Sequence, residues 1–196
     1  MTIPTAPNLD MPIIPLGDAV LRPLRPSDTE DLLGYLGDPA VTELTSFPEV
    51  TRTLAEVMIE RARSRWAAGE PSRWALARVA DDRIIGTCGF SDGSPVHRWA
   101  ELAYDLARPE WGKGVMPRAV AAALAWAFRG GHVDRVQAHV RVDNVRSRRV
   151  LVRSGFTLEG CLRSYRICRG TPYDFEVHAL LRREWESARR SDGVGT

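Results

Sequence analysis

The chain has 196 residues, 44% of them hydrophobic, with 27 basic and 25 acidic side chains giving a net charge of +2. That length and apolar content suit one well-buried domain, and the near balance of charge gives no ground for a nucleic-acid or membrane-surface protein. Cys88, Cys161 and Cys168 lack both C-x-x-C spacing and histidines at zinc-finger intervals, so neither a metal site nor a disulfide framework is indicated, and a reducing cytoplasm is the expected setting.

Residues 1–17 are proline-rich, without the basic start or the continuous apolar run of a signal peptide, and no stretch approaches the about 20 apolar residues of a membrane span. Residues 1–15 and 187–196 read as loosely ordered ends of a single domain spanning 1–196. Ala19 to Arg25 alternates as a first strand, which Pro23 demotes towards a sheet edge. Pro26, and Ser27 with Glu30 as a capping box, predict the start of a helix, and Thr53 with Glu56 predicts a second. In that second helix Leu54, Met58, Ala62 and Trp66 form one apolar stripe, closed by Gly69 and Pro71.

Three strands follow at Trp74 to Ala80, Ile84 to Phe90 and Trp99 to Leu106, with connections short enough for an antiparallel meander. A helix from about Pro117 to Arg129 ends at Gly130-Gly131. Val136, Ala138, Val140 and Val142 then alternate with polar residues as a half-buried strand. A short helix from Val145 to Ser154 and two strands, about Phe156 to Cys168 and Tyr173 to Leu181, complete a β-α-α-β-β-β-α-β-α-β-β order.

Between the third strand of the meander and the next helix lies Trp111-Gly112-Lys113-Gly114-Val115-Met116, which holds the chain's only lysine. Two glycines allow a tight turn and close approach of backbone to a ligand, and the unpaired N–H groups of the following helix turn suit a phosphate. The alternative is a plain strand-to-helix turn. A Walker A loop is excluded, because Gly114 stands where that motif needs Ser or Thr to hold magnesium.

Four pieces in order, Ala100-Glu101-Leu102-Ala103-Tyr104-Asp105-Leu106, Pro109 to Gly114, Asn144-Val145-Arg146-Ser147 and Gly155 to Gly160, resemble the GNAT superfamily of acyl-CoA-dependent N-acyltransferases and its RimJ/RimL-like branch. The resemblance implies an α/β (α+β) GNAT fold, a mixed, mostly antiparallel sheet of about seven strands with helices on both faces. It also implies transfer of acetyl from acetyl-CoA, with no metal, to a primary amine such as a protein N-terminal α-amine. By the same resemblance, backbone at Leu106 and Ala107 pairs with the pantetheine arm, and Gly112, Lys113, Gly114, Val115 and Met116 wrap the pyrophosphate. Met116 departs from the usual small residue there and could crowd the phosphates. Asn144 binds pantetheine or caps the helix, and Ser147 binds cofactor or protonates the departing thiolate, unless it is a solvent-facing hydroxyl.

Glu101 stands in phase with Trp99, Ala103 and Asp105 and is either a general base for the amine or an edge-strand surface charge. Some relatives place a glutamate near the position of Arg166, which cannot serve as base. Arg146, Arg148, Arg149 and Arg153 offer a cationic helix surface for a ribose phosphate or form a solvated face, and the tryptophans 66, 74, 99 and 126 read as core. His97, His132, His139 and His178 have no ligand-like spacing. An α-amine with a pKa of about 8 is roughly a tenth neutral at pH 7, whereas a lysine needs about 3 kcal/mol more to deprotonate, which favours low-pKa acceptors. Open alternatives are an acyl-CoA-binding regulatory domain without turnover, another acyl group such as succinyl, and a small-molecule amine. Relatives often form homodimers, and no pattern in this chain decides that.

Overall fold

A computed structural model of the protein describes residues 11–192. In chain order the elements are β1 (Ile14–Pro15), β2 (Ala19–Arg22), α1 (Thr29–Leu36), α2 (Pro39–Thr42), α3 (Arg52–Ala67), β3 (Arg73–Arg78), β4 (Ile84–Ser94) and β5 (Trp99–Leu106). Then come α4 (Val115–Arg129), β6 (Arg135–Arg141), α5 (Val145–Arg153), β7 (Thr157–Cys168), β8 (Thr171–Leu181) and α6 (Arg182–Asp192). Eight strands form one sheet in the order β1-β2-β3-β4-β5-β6-β8-β7, antiparallel everywhere except between β5 and β6. The mixed sheet with helices on both faces is as expected, and the eighth strand is β1, whose two residues are too short to show a period.

The meander is β3, β4 and β5, but β4 runs on to Ser94 through a bulge at Ser91 that the sequence does not announce. Strand β2 stops at Arg22, just before Pro23, and is not at the edge because β1 covers it. Ser27 does not cap the first helix. Pro26, with its fixed φ, starts a 3-10 turn, and the Asp28 carboxylate accepts from the Arg25 N–H at 2.7 Å. The second helix also starts earlier than Thr53: the Thr51 hydroxyl accepts from the Leu54 N–H at 3.2 Å. Its buried stripe is accordingly Ala55, Ile59, Ala62 and Trp66, with Leu54 and Met58 half-buried beside it. Helix α2, a single turn capped by Asp38, is too short to carry a period.

Strand alternation splits the packing between two faces. Trp74, Leu76, Leu102, Val136, Ala138 and Val140 join Val120, Leu124 and Phe128 of α4 and Leu151 of α5. Ala75 and Ile84 join Leu32, Leu36, Ala55 and Ile59 beneath α1 and α3. Trp66, Trp74 and Trp126 meet edge-on at 4.9–5.2 Å; Trp66 and Trp74 are buried, whereas Trp126 and Trp99 are half-buried. Parts of the expected loose ends, residues 1–10 and 193–196, lie outside the described residues, while Ile14–Pro15 is strand and 187–192 belongs to α6. No helix among the described residues is long and apolar enough to cross a membrane.

Candidate active site

The site begins where the sheet comes apart. Strands β5 and β6 pair only from Trp99–Arg135 to Glu101–Gln137. Beyond Glu101 each stays with its other neighbour, β5 with β4 and β6 with β8, so a wedge opens between them. The Ala107 N–H is spent on the Ile85 carbonyl at 2.7 Å, and strand alternation therefore turns the N–H and C=O of Leu106 into the wedge. Of the two residues expected to meet a pantetheine arm, Leu106 faces the opening and Ala107 does not. The Leu106 carbonyl already accepts from the Trp111 indole at 2.9 Å, which leaves its N–H as the donor on offer.

On the α4–α5 face the wedge widens into a cleft of about 320 Å³. Gly112, Gly114, Val115, Met116 and Pro117 line one wall, and Asn144, Arg146, Ser147, Arg149, Val150 and Arg153 line another. Gly112 and Gly114 adopt φ of +78° and +74°, a left-handed conformation that favours glycine, and Gly114 stands at the N-cap of α4. The first N–H groups of that 15-residue helix therefore open onto the cleft. Met116 does not crowd them, since its side chain is buried in the core. The side chain of Lys113 is outside the lining and pairs with Glu110 at 3.0 Å, so residue 113 has only main chain to give.

The cations on this face come from α5 instead. Arg146, Arg149 and Arg153 share one side of the helix, and Arg146 stacks its guanidinium 3.9 Å from the Trp111 ring centre. Arg148 points elsewhere, to Glu176 at 2.9 Å. Asn144 does cap α5, its Oδ1 accepting from the Ser147 N–H at 3.1 Å, and it lines the cleft as well. Ser147 is not solvent-facing in the simple sense. Its Oγ lies 2.8 Å from the Tyr104 hydroxyl, which also donates to the Ser147 carbonyl at 3.1 Å. Burial keeps the Tyr104 pKa well above the ordinary phenol value despite the opposing Ser147 bond, so the hydroxyl is a neutral donor. Sequence reasoning quoted Tyr104 inside a motif but gave it no role. Its two-residue phase places it opposite Glu101, and only the folded position of α5 shows its partner.

On the α1–α3 face a second cavity of about 340 Å³ reaches Glu101, and it shares Leu44, Thr45, Tyr104, Asn144 and Ser147 with the first. A thioester on one face and an amine on the other could therefore meet through the wedge. Glu101 is no free surface charge: Arg166 donates to Oε1 at 3.0 Å, and His139 Nδ1 lies 3.2 Å from Oε2, near enough for attraction but off the line of a hydrogen bond. Burial alone would raise the Glu101 carboxyl, but His139 and Arg166 together outweigh it and hold it below the usual carboxylate value. Asp105, four residues on, is structural: it accepts from Tyr35, Arg73 and Thr87 at 2.5–3.0 Å.

A family model described as an acetyltransferase (GNAT) domain matches residues 18–157. An uncharacterized N-acetyltransferase p20 of Bacillus licheniformis is 33% identical over 168 residues, 84% of this chain and 93% of the relative. A ribosomal-protein-serine acetyltransferase of Escherichia coli is 31% identical over 101 residues, 52% of this chain and 56% of its own. The solved structure of a ribosomal L7/L12 α-N-protein acetyltransferase in complex with coenzyme A superposes with a TM-score of 0.78 at 22% identity, covering 87% of this chain and 98% of that one. The open wedge thus lies in a fold that this family shares, and the chain belongs to the GNAT family of acetyltransferases.

Proposed function

We propose that this N-acetyltransferase moves the acetyl group of acetyl-CoA to the α-amine of a protein N-terminus. The observation that carries the reading is the parting of β5 from β6 just beyond Glu101, which joins a phosphate-suited cleft to a cavity holding a carboxylate. The Leu106 N–H offers the unpaired strand donor for a pantetheine amide or for the oxyanion that develops on the thioester carbonyl. The amine nitrogen attacks that carbonyl, the carbon–sulfur bond breaks, Glu101 takes the proton leaving nitrogen and later releases it to solvent, and the Ser147 hydroxyl passes a proton to the thiolate as it regains one from solvent. Amide and free thiol are the products.

The lowered Glu101 pKa bears on the acceptor. A carboxylate held down by His139 and Arg166 is a weak base, adequate for an amine near pKa 8 but poorly matched to a lysine near 10.4. The relative named a ribosomal-protein-serine acetyltransferase carries in its name a residue without a side-chain amine, which supports the same choice. Two features favour a binding domain without turnover, the bulky Met116 and the missing acid at Arg166; Met116 is buried, and Glu101 offers the carboxylate that position 166 lacks. The test is thiol release and mass spectrometry with acetyl-CoA and peptides whose only amine is α or ε. The α-amine peptides are expected to gain an acetyl group, and Glu101→Gln to lower kcat about 10²- to 10⁴-fold. Acetylation of the ε-amine set alone would overturn the acceptor assignment.

A further inference from the structure

Four arginines, Arg61, Arg73, Arg141 and Arg166, line the cavity on the Glu101 side, against a single carboxylate, Glu101 itself. Three of these cations are neutralised within the fold. Arg73 meets Asp105 at 3.0 Å, Arg141 meets Asp143 at 2.6 Å, and Arg166 meets Glu101 at 3.0 Å. Arg61, on α3, meets no carboxylate among the described residues, and its one bond is a long 3.4 Å contact to the Ser91 carbonyl. Its place is also distinctive. A smaller cavity of about 170 Å³, lined by Leu24, Leu32, Phe47 and Met58, shares Phe47, Arg61, Arg73 and Ser91 with the larger one. Arg61 therefore stands at the junction of the reaction cavity and an apolar annex.

Resting on the acceptor reading above, we infer that the acceptor is an acidic amine: a peptide-like chain whose first residues carry a carboxylate that Arg61 receives, with an apolar group seated in the annex. A polycation is the wrong ligand for this cavity. Each ammonium beyond the reacting one would meet the uncompensated charge of Arg61, and the one acidic side chain lining the cavity is already engaged by Arg166. Polyamines and lysine-rich termini are thereby set apart from acidic termini by charge alone, whatever their fit to the wedge.

The experiment compares kcat/KM for short peptides with a free α-amine, an amidated C-terminus and one variable side chain at the second or third position: Asp, Asn or Lys. Spermidine serves as a separate acceptor. The Asp peptide is expected to exceed the Lys peptide about tenfold at low salt, the sum of an attraction gained and a repulsion avoided at a partly exposed pair. The ratio should shrink as ionic strength rises. Arg61→Gln should bring the ratio within about twofold of unity, and Arg61→Glu should invert it. Arg61 is an exposed helix residue, so neither change threatens folding. Equal turnover of the Asp and Lys peptides by the unmodified protein, or a preference that survives Arg61→Glu, would overturn this inference and leave the transferase intact. Absence of thiol release with every amine would overturn the transferase reading and this inference with it.

Discussion

Arg166→Met isolates the charge beside Glu101 while keeping an apolar stem. The Arg166 Nη2 to Glu101 Oε1 distance is 3.0 Å, and the carboxylate side chain is 12% exposed. Unit charges about 4 Å apart attract by roughly 4 kcal/mol at an effective dielectric of 20. A third of the Arg166 side chain faces solvent, so screening leaves about 1–2 kcal/mol of this. The sign follows from the chemistry. The cation favours the charged carboxylate, so its removal raises the Glu101 pKa, and the burial that remains pushes the same way. A general base works in its ionised form, so the break that Glu101 sets in the acid limb of the kcat/KM profile, below the one set by the α-amine, should move to higher pH. The assay is thiol release from acetyl-CoA at α-amine peptide concentrations well below KM across acid to mildly alkaline pH. His139, 3.2 Å away, remains in place, so part of the depression persists. A profile superimposable on that of the unmodified protein would refute the role given to Glu101 and to its ion pair.

Tyr104→Phe keeps the ring and removes the hydroxyl that holds Ser147 Oγ at 2.8 Å. With the serine free to rotate, kcat should fall about three- to tenfold while coenzyme A affinity by calorimetry stays within about twofold; an unchanged kcat would strike Tyr104 from the mechanism. Gly114→Ala places a Cβ where no protein atom lies within 4 Å, yet φ is +74°. Backbone strain should cost about 1–2 kcal/mol in urea unfolding, and acetyl-CoA KM should rise as well because the new methyl points into open cleft. A KM equal to that of the parent would show that no ligand approaches this turn.

Much of this fold is legible in the residues. The two-residue period of Val136, Ala138 and Val140 and the length of the alanine-rich helix give β6 and α4 nearly to the residue. The helix start at Pro26 is legible, but caps fail where a local competitor wins: Asp28 and Thr51 make the cap contacts expected of Ser27 and Thr53. The glycine loop and Asn144 are visible as motifs because their function depends on local backbone geometry. The Tyr104–Ser147 and Glu101–Arg166 pairs are not, since each joins residues 43 or 65 positions apart and arises only when the sheet assembles. Charge is legible in part. The sequence offers Arg146, Arg148, Arg149 and Arg153 as one cationic surface, whereas the fold brings Arg146, Arg149 and Arg153 to the cleft, turns Arg148 to Glu176 and turns the Lys113 side chain to Glu110.

The three-rung contact between β5 and β6 has a thermodynamic consequence. A sheet interrupted at its middle is an incomplete hydrogen-bonded lattice, and any guest that fills the gap contributes rungs that the polypeptide lacks. Guest and fold are then linked by mass action, and the unfolding free energy climbs with the logarithm of donor concentration once the guest exceeds its dissociation constant. The conformational resilience of the protein would thereby track the supply of its own acyl donor.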